Sequence, residues 1–150
     1  MGMSDIIASF IKDILDQTNG IAELQRSELA ERFKCVPSQI NYVISTRFSP
    51  EHGYIVESRR GGGGYIRISR VAGTKKQLVM QMINAAGYEL DVSTASAFVS
   101  NAFNNDLIDR RDAKLIMAVL GDNALKAIPT ELRNSARADI FKHIMINLIA

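Results

Sequence analysis

The chain has one cysteine, Cys35, so it cannot close an internal disulfide, and it suits a reducing compartment. Cys35 reads as a small, partly buried packing residue. Its two histidines, His52 and His143, are isolated and read as a turn residue and a surface-helix residue. No Cys/His cluster has zinc spacing and no Ser/His/Asp arrangement stands out, so neither a metal, a cofactor nor an enzymatic activity is expected. No apolar run approaches the roughly 20 residues needed to span a bilayer. The start, MGMSDI, carries Asp5 and no basic stretch, and Ile6 stands where a myristoylation signal needs Ser or Thr. A cytoplasmic protein without membrane contact is the expectation.

What is present is a hidden charge asymmetry. The net charge is only +2, yet residues 26–70 carry eight basic side chains (Arg26, Arg32, Lys34, Arg47, Arg59, Arg60, Arg67, Arg70) against four acids. Positive charge concentrated in one short segment points to a polyanion. That segment also holds the stretch RRGGGGYIRISR, in which Gly61, Gly62, Gly63 and Gly64 follow two arginines. Glycine loses more backbone freedom on folding than any other residue, so four in a row weaken a structure unless something is gained.

Apolar periodicity orders the chain. Ser4 is a candidate cap for a helix carrying Ile6, Ile7, Phe10, Ile11, Ile14 and Leu15, up to about Asn19–Gly20. Ile21 to Leu24 is a short apolar link or brief strand. Ser27 opens a second helix with Leu29, Ala30 and Phe33, and Pro37 cannot continue it. Ser38 is the expected cap of a third helix, whose apolar face is Ile40, Val43, Ile44 and Phe48. After the turn SPEHG, the runs YIVESR and YIRISR flank the glycines as a β-hairpin, Ile66 and Ile68 alternating with Arg67 and Ser69. From about Gly73 the strand signals fade. Four helical stripes follow: Leu78/Val79/Met82/Ile83, Phe98/Val99/Ala102/Phe103, Ala113/Ile116/Met117/Leu120 behind a cap at Asp109, and Leu132 to Leu148 after Pro129. Met80, Met82, Met117 and Met145 are expected on core stripes. The reading is an α+β, mostly helical chain: residues 1–73 a winged helix-turn-helix, residues 74–150 a four-helix domain. A module that small gains from pairing with a second copy.

The order helix, helix, turn, helix, hairpin is that of a winged helix-turn-helix. Ile40 and Val43 would face inward, leaving Gln39, Asn41, Tyr42 and Ser45 outward. Gln and Asn can bond adenine bidentately at its major-groove edge. Ser38 and the amides behind Pro37 suit a phosphate. The glycine loop, free of side chains, can enter a minor groove only about 6 Å wide. Arg59 and Arg60 would accompany it, because the potential in a narrow minor groove is strongly negative. A phosphate-binding P-loop is disfavoured, since no Lys-Ser or Lys-Thr follows the glycines. Taken singly, the glycine run is more often an ordinary flexible turn, and the polar helix is as readily an ordinary solvated one. Only their ordered combination favours DNA over the alternative, an adaptor that uses the winged domain for a protein partner.

The stretch RSELAERFKCVPSQINYVISTRFSPEHGYIVESRRGGGGYIRI strongly resembles the CtsR family, class III heat-shock repressors of low-GC Gram-positive bacteria. CVPSQINYVI together with RGGGGYIRI is a highly specific combination, dense over residues 26–68 and looser elsewhere. The resemblance implies a homodimeric repressor with a helical C-terminal dimerisation domain. Such repressors bind a tandem heptanucleotide repeat in promoters of Clp chaperone and protease genes. It implies recognition-helix contacts at Ser38, Gln39, Asn41 and Tyr42, with Arg47 at the helix end and Arg26 on phosphate. In the wing it implies a minor-groove element formed by Arg60 with Gly61, Gly62, Gly63 and Gly64, bordered by Arg59 and Tyr65. The family's glycine loop is regarded as a heat sensor, and the arginine before it, Arg60 here, as the target of an arginine kinase that works with the Clp protease machinery. Relatives often have Lys where this chain has Arg59, which leaves two arginines open to modification.

Overall fold

A computed structural model of the chain describes residues 2–59 and 64–149; Arg60, Gly61, Gly62 and Gly63 lie outside the described residues. The chain divides into two compact units, Met1–Val71 and Ala72–Ala150.

The first unit runs α1 (Met3–Gln17), β1 (Ile21–Gln25), α2 (Arg26–Arg32), α3 (Pro37–Arg47), a single 3-10 turn (Pro50–His52), β2 (Tyr54–Arg59) and β3 (Tyr65–Arg70). In α1, Ile7, Ile11 and Leu15 recur every fourth residue and are fully buried, while Lys12, Asp13 and Asp16 face water. The cap expected at Ser4 lies two residues earlier, at Gly2, because the Asp5 carboxylate accepts the Gly2 N–H at 3.1 Å and closes the first turn there. The Ile21–Leu24 link is a strand, longer by one residue than the run that suggested it. The sheet order is β1-β3-β2, both pairings antiparallel. Ile68 sits between Ala22 and Val56, and Ile66 between Leu24 and Ser58. Ile66 and Ile68 are fully buried, and a slip of one residue would put Arg67 in their place, so the register is strongly specified.

The helix-turn-helix follows from two local devices. α2 begins at Arg26 rather than behind a Ser27 cap, because the Arg26 N–H bonds the Gly64 carbonyl at 3.1 Å and β1 runs straight into the helix. It ends in a Schellman motif: Cys35 N–H reaches Ala30 O at 2.9 Å and Lys34 N–H reaches Glu31 O at 3.2 Å, with Lys34 in the left-handed region at φ 51°. α3 begins at Pro37 with Val36 before it, not at a Ser38 cap. Proline lacks only an N–H that is unsatisfied at the first helical position anyway. Ile40, Val43 and Ile44 are buried with Leu29, Ala30, Phe48 and Tyr54. The last two meet edge to face, centroids 4.9 Å apart.

The second unit consists of α4 (Lys75–Ala86), α5 (Val92–Asn104), α6 (Arg110–Leu120) and α7 (Thr130–Asn147). Thr74, Asp91 and Asp109 cap the first three, their side chains accepting N–H groups of Gln77, Thr94 and Asp112 at 3.2, 2.7 and 2.8 Å. The core joins Val79, Met82, Phe98, Val99, Ile116, Leu120, Ala138, Phe141 and Met145. Two positions expected on core stripes are outside it. Met80 is exposed, and Leu132 is 54% exposed because it precedes Phe141 by nine residues, about two and a half turns, and so points to the opposite side of α7. The buried face holds Arg137 instead, fully enclosed. Its guanidinium donates to Leu120 O at 2.6 Å, Leu90 O at 2.9 Å and Asn134 Oδ1 at 2.6 Å, and pairs with Asp122. One side chain thereby ties the α4–α5 and α6–α7 connections to α7.

Two substitutions test these assignments. Lys34→Gly removes the left-handed strain and is expected to stabilise the first unit by about 0.5–1 kcal/mol in denaturant titration. Arg137→Leu strands two carbonyls and is expected to destabilise the second unit by about 2–4 kcal/mol, read by the same titration.

Candidate nucleic-acid interface

α3 presents a polar face because its apolar residues are spent inward. Ser38, Asn41, Tyr42 and Ser45 are exposed, Tyr42 by 58%. Gln39 departs from the expected outward set. It stands four residues before Val43, on the border of the buried stripe, and is half-buried with its amide donating to Ser4 Oγ at 2.8 Å. Arg47, at the C-terminal end where a cation complements the helix dipole, pairs with Asp5 of α1 at 2.8 Å. That guanidinium, followed by the Gly2 N–H, holds the Asp5 carboxyl below the usual carboxylate range.

Arg26 joins the helix to the hairpin. From the first turn of α2 its Nε donates to Asn41 Oδ1 at 2.5 Å, its Nη2 to Ser58 Oγ on β2 at 2.9 Å, and its Nη1 to Gly64 O at 3.4 Å. A groove of about 410 Å³ opens beside it, lined by Asn41, Ser45, Ser49 and Val56 among others. Arg59, at the end of β2, is exposed and lies opposite Tyr65 across the ladder. The Glu23 carboxylate on β1, the strongest influence on the Tyr65 hydroxyl, raises its pKa above the ordinary tyrosine value. Gly64 has φ 81°, and a Cβ there would stand 3.4 Å from the Arg26 side chain. The positive φ is what glycine meets there without strain, the approach to Arg26 being ordinary contact.

Of the residues singled out from sequence, Arg26, Asn41 and Gly64 come together at one point, with Arg59 and Tyr65 at the hairpin end. Ser38 and Tyr42 stand free on α3, and Gln39 and Arg47 are turned toward α1. The readings at Arg60, Gly61, Gly62 and Gly63 lie outside the described residues. Ser4, Asp5 and Ser58 were not anticipated: a serine and an aspartate in a helix's first turn read as ordinary N-terminal residues, and nothing in their spacing announces a partner more than 30 residues away. Among the described residues no group of three or more His, Cys, Asp or Glu is placed to hold a metal ion, and no helix is long and apolar enough to cross a membrane.

Comparison with known proteins agrees with this geometry. Residues 2–72 match the family model described as the CtsR N-terminal HTH domain, and residues 74–146 that of the CtsR C-terminal dimerization domain. The chain is 41% identical over 149 residues to the transcriptional regulator CtsR of Bacillus subtilis (strain 168), covering 97% of this chain and 96% of that protein. It is 40% identical over 148 residues to the transcriptional regulator CtsR of Geobacillus stearothermophilus, with the same coverage of 97% and 96%. Among solved structures it is similar to CtsR crystallised with a 26 bp DNA duplex, at 40% identity and a TM-score of 0.89 over 99% of both chains.

The Asp5–Arg47 pair predicts a pH dependence. A carboxyl whose pKa is lowered by folding contributes stability that is present above its unfolded value, near 4, and is lost as pH falls through the lower folded value. Wild type should therefore exceed Asp5→Asn in stability by a constant margin from pH 5 to 7, and the margin should shrink as pH falls below ~4 and vanish below the lower folded value. Chemical denaturation across that range measures it.

Proposed function

The chain belongs to the CtsR family of transcriptional regulators, and on that premise we propose that it is a sequence-specific DNA-binding repressor that acts as a homodimer. The observation that carries the reading is the triple engagement of Arg26. By bonding Asn41 on α3 and both Ser58 and Gly64 of the hairpin, it holds a polar helix and the Ser58–Gly64 end of the hairpin at a fixed separation, as two-groove docking on B-DNA needs. In this reading Asn41, Tyr42, Ser38 and Gln39 address base edges and nearby phosphates in the major groove. Arg26 and Arg47 serve the backbone. Arg59, Arg60 and Gly61 to Gly64 enter the adjacent minor groove, with Tyr65 at its lip.

Its targets are promoters of Clp chaperone and protease genes that carry a tandem heptanucleotide repeat, each subunit taking one repeat. The second unit supplies the dimer contact. Leu115 and Val119, one turn apart on α6, are exposed and offer a second copy an apolar face. The protein works in the cytoplasm. Heat releases it through the wing, because an immobilised run of glycines has a large conformational entropy to regain as temperature rises. Phosphorylation of Arg60 by an arginine kinase replaces a cation facing DNA phosphates with an anion, and the Clp protease machinery is the downstream partner.

Electrophoretic shifts with Clp promoter DNA over a temperature and salt series test the reading. Wild-type affinity should fall steeply with salt, and Arg60→Ala should lower the slope of log K against log salt by ~0.9, the loss of one phosphate contact. Gly64→Ala introduces left-handed strain of about 1–2 kcal/mol beside Arg26, so its release temperature should drop. Salt-indifferent behaviour, or curves that coincide for all three proteins, would instead support the adaptor reading.

A further inference from the structure

α1 is the one helix of the first unit with no place in the two-groove reading, yet its first turn occupies two of the side chains assigned to DNA. Ser4 Oγ accepts the Gln39 amide at 2.8 Å, and Asp5 Oδ1 accepts the Arg47 guanidinium at 2.8 Å. Gln39 and Arg47 are eight residues apart, about 12 Å along α3, so two long side chains converge on adjacent residues of one turn. The Asp5 carboxylate is itself held from behind by the Gly2 N–H at 3.1 Å. The ion pair stays open to solvent, with the Arg47 and Asp5 side chains 39% and 45% exposed. A phosphate can therefore exchange with Asp5 at Arg47 without first breaking into the core.

We propose that the first turn of α1 is a latch on the recognition helix, and that Asp5 is a specificity-determining residue that suppresses binding to random-sequence DNA. The proposal rests on the DNA-binding reading above. Random-sequence affinity comes almost wholly from cations meeting phosphates. With Asp5 in place, Arg47 must surrender one anion to gain another, and the exchange returns little. In the DNA-free protein, tethering at Ser4 and Asp5 also preorganises the polar side chains of α3 for the correct operator, on which Gln39 and Arg47 pass from α1 to the duplex. Removing the carboxylate should free Arg47 for any duplex and relax that arrangement.

The test compares the full-length wild type with Asp5→Asn, Asp13→Asn, and Asp5→Asn combined with Arg47→Gln. Each is titrated by fluorescence anisotropy against a Clp promoter duplex and a scrambled duplex of equal length. Asp13 is an exposed acid of the same helix, and its neutralisation controls for net charge. Asp5→Asn should bind the scrambled duplex up to about eightfold more tightly at 0.1 M salt and steepen its salt slope by ~0.9. The gain on the promoter should be smaller, so the ratio of promoter to scrambled affinity falls. Asp13→Asn should change scrambled binding by less than about twofold, as a distant charge screened by salt does. The double variant should lose the gain. An unchanged slope in Asp5→Asn, an equal effect from Asp13→Asn, or a gain that survives Arg47→Gln would each overturn the latch. Absence of salt-dependent duplex binding by the wild type would fell the DNA reading itself, a distinguishable failure. Melting curves of all four proteins exclude misfolding as the source of any difference.

Discussion

One guanidinium organises the polar face of the first unit. Arg26 is the first residue of its helix, so its backbone N–H is free to take the Gly64 carbonyl while its side chain spreads across Asn41, Ser58 and the same carbonyl. Lysine could not reproduce this, having a point charge where three acceptors need a planar fork. Because the helix start, the helix face and the hairpin base share one donor group, none of them can move without disturbing the others. The hydrophobic contacts beneath set where α3 and the sheet lie; Arg26 sets how their polar edges are aligned.

Much of the fold was legible in the chain because its patterns are redundant. The four-residue repeat of Ile7, Ile11 and Leu15, the alternation of Ile66 and Ile68, and the proline at the start of α3 each point to one structure. The cap at Asp109 was read correctly; what failed were the serine caps and the odd positions. Ser4, Ser27 and Ser38 are good capping residues by type, but Gly2 with Asp5, the Gly64 carbonyl and Pro37 defined the helix starts instead. Lys34 and Asp106 adopt positive φ at helix ends where glycine is the usual signal, so those two ends carry no such punctuation, whereas Asn19–Gly20 marked the end of α1. Arg137 was invisible for the same kind of reason: a charged residue between apolar ones reads as surface unless its acceptors, scattered from Leu90 to Asn134, are known.

The candidate interface was legible in kind and less so in arrangement. The polar residue types on α3 and the glycines beside arginines pointed to DNA. Which of them are free and which are held depends on contacts across more than 30 residues, such as Gln39 with Ser4 and Arg47 with Asp5. Helical periodicity assigns a face but cannot say what a neighbouring helix lays against its border.

The placement of β3 in the middle of the sheet has a bearing on how this family can vary. An ordinary hairpin owes its alignment to its turn, so adding or deleting residues there shifts the whole ladder. Here β3 is also clamped by β1 from the far side, with Ala22 facing Ile68 and Leu24 facing Ile66. The connection between Arg59 and Tyr65 is thereby relieved of any duty to align the strands. A change of length between Arg59 and Gly64 leaves the scaffold beneath with its pairing intact.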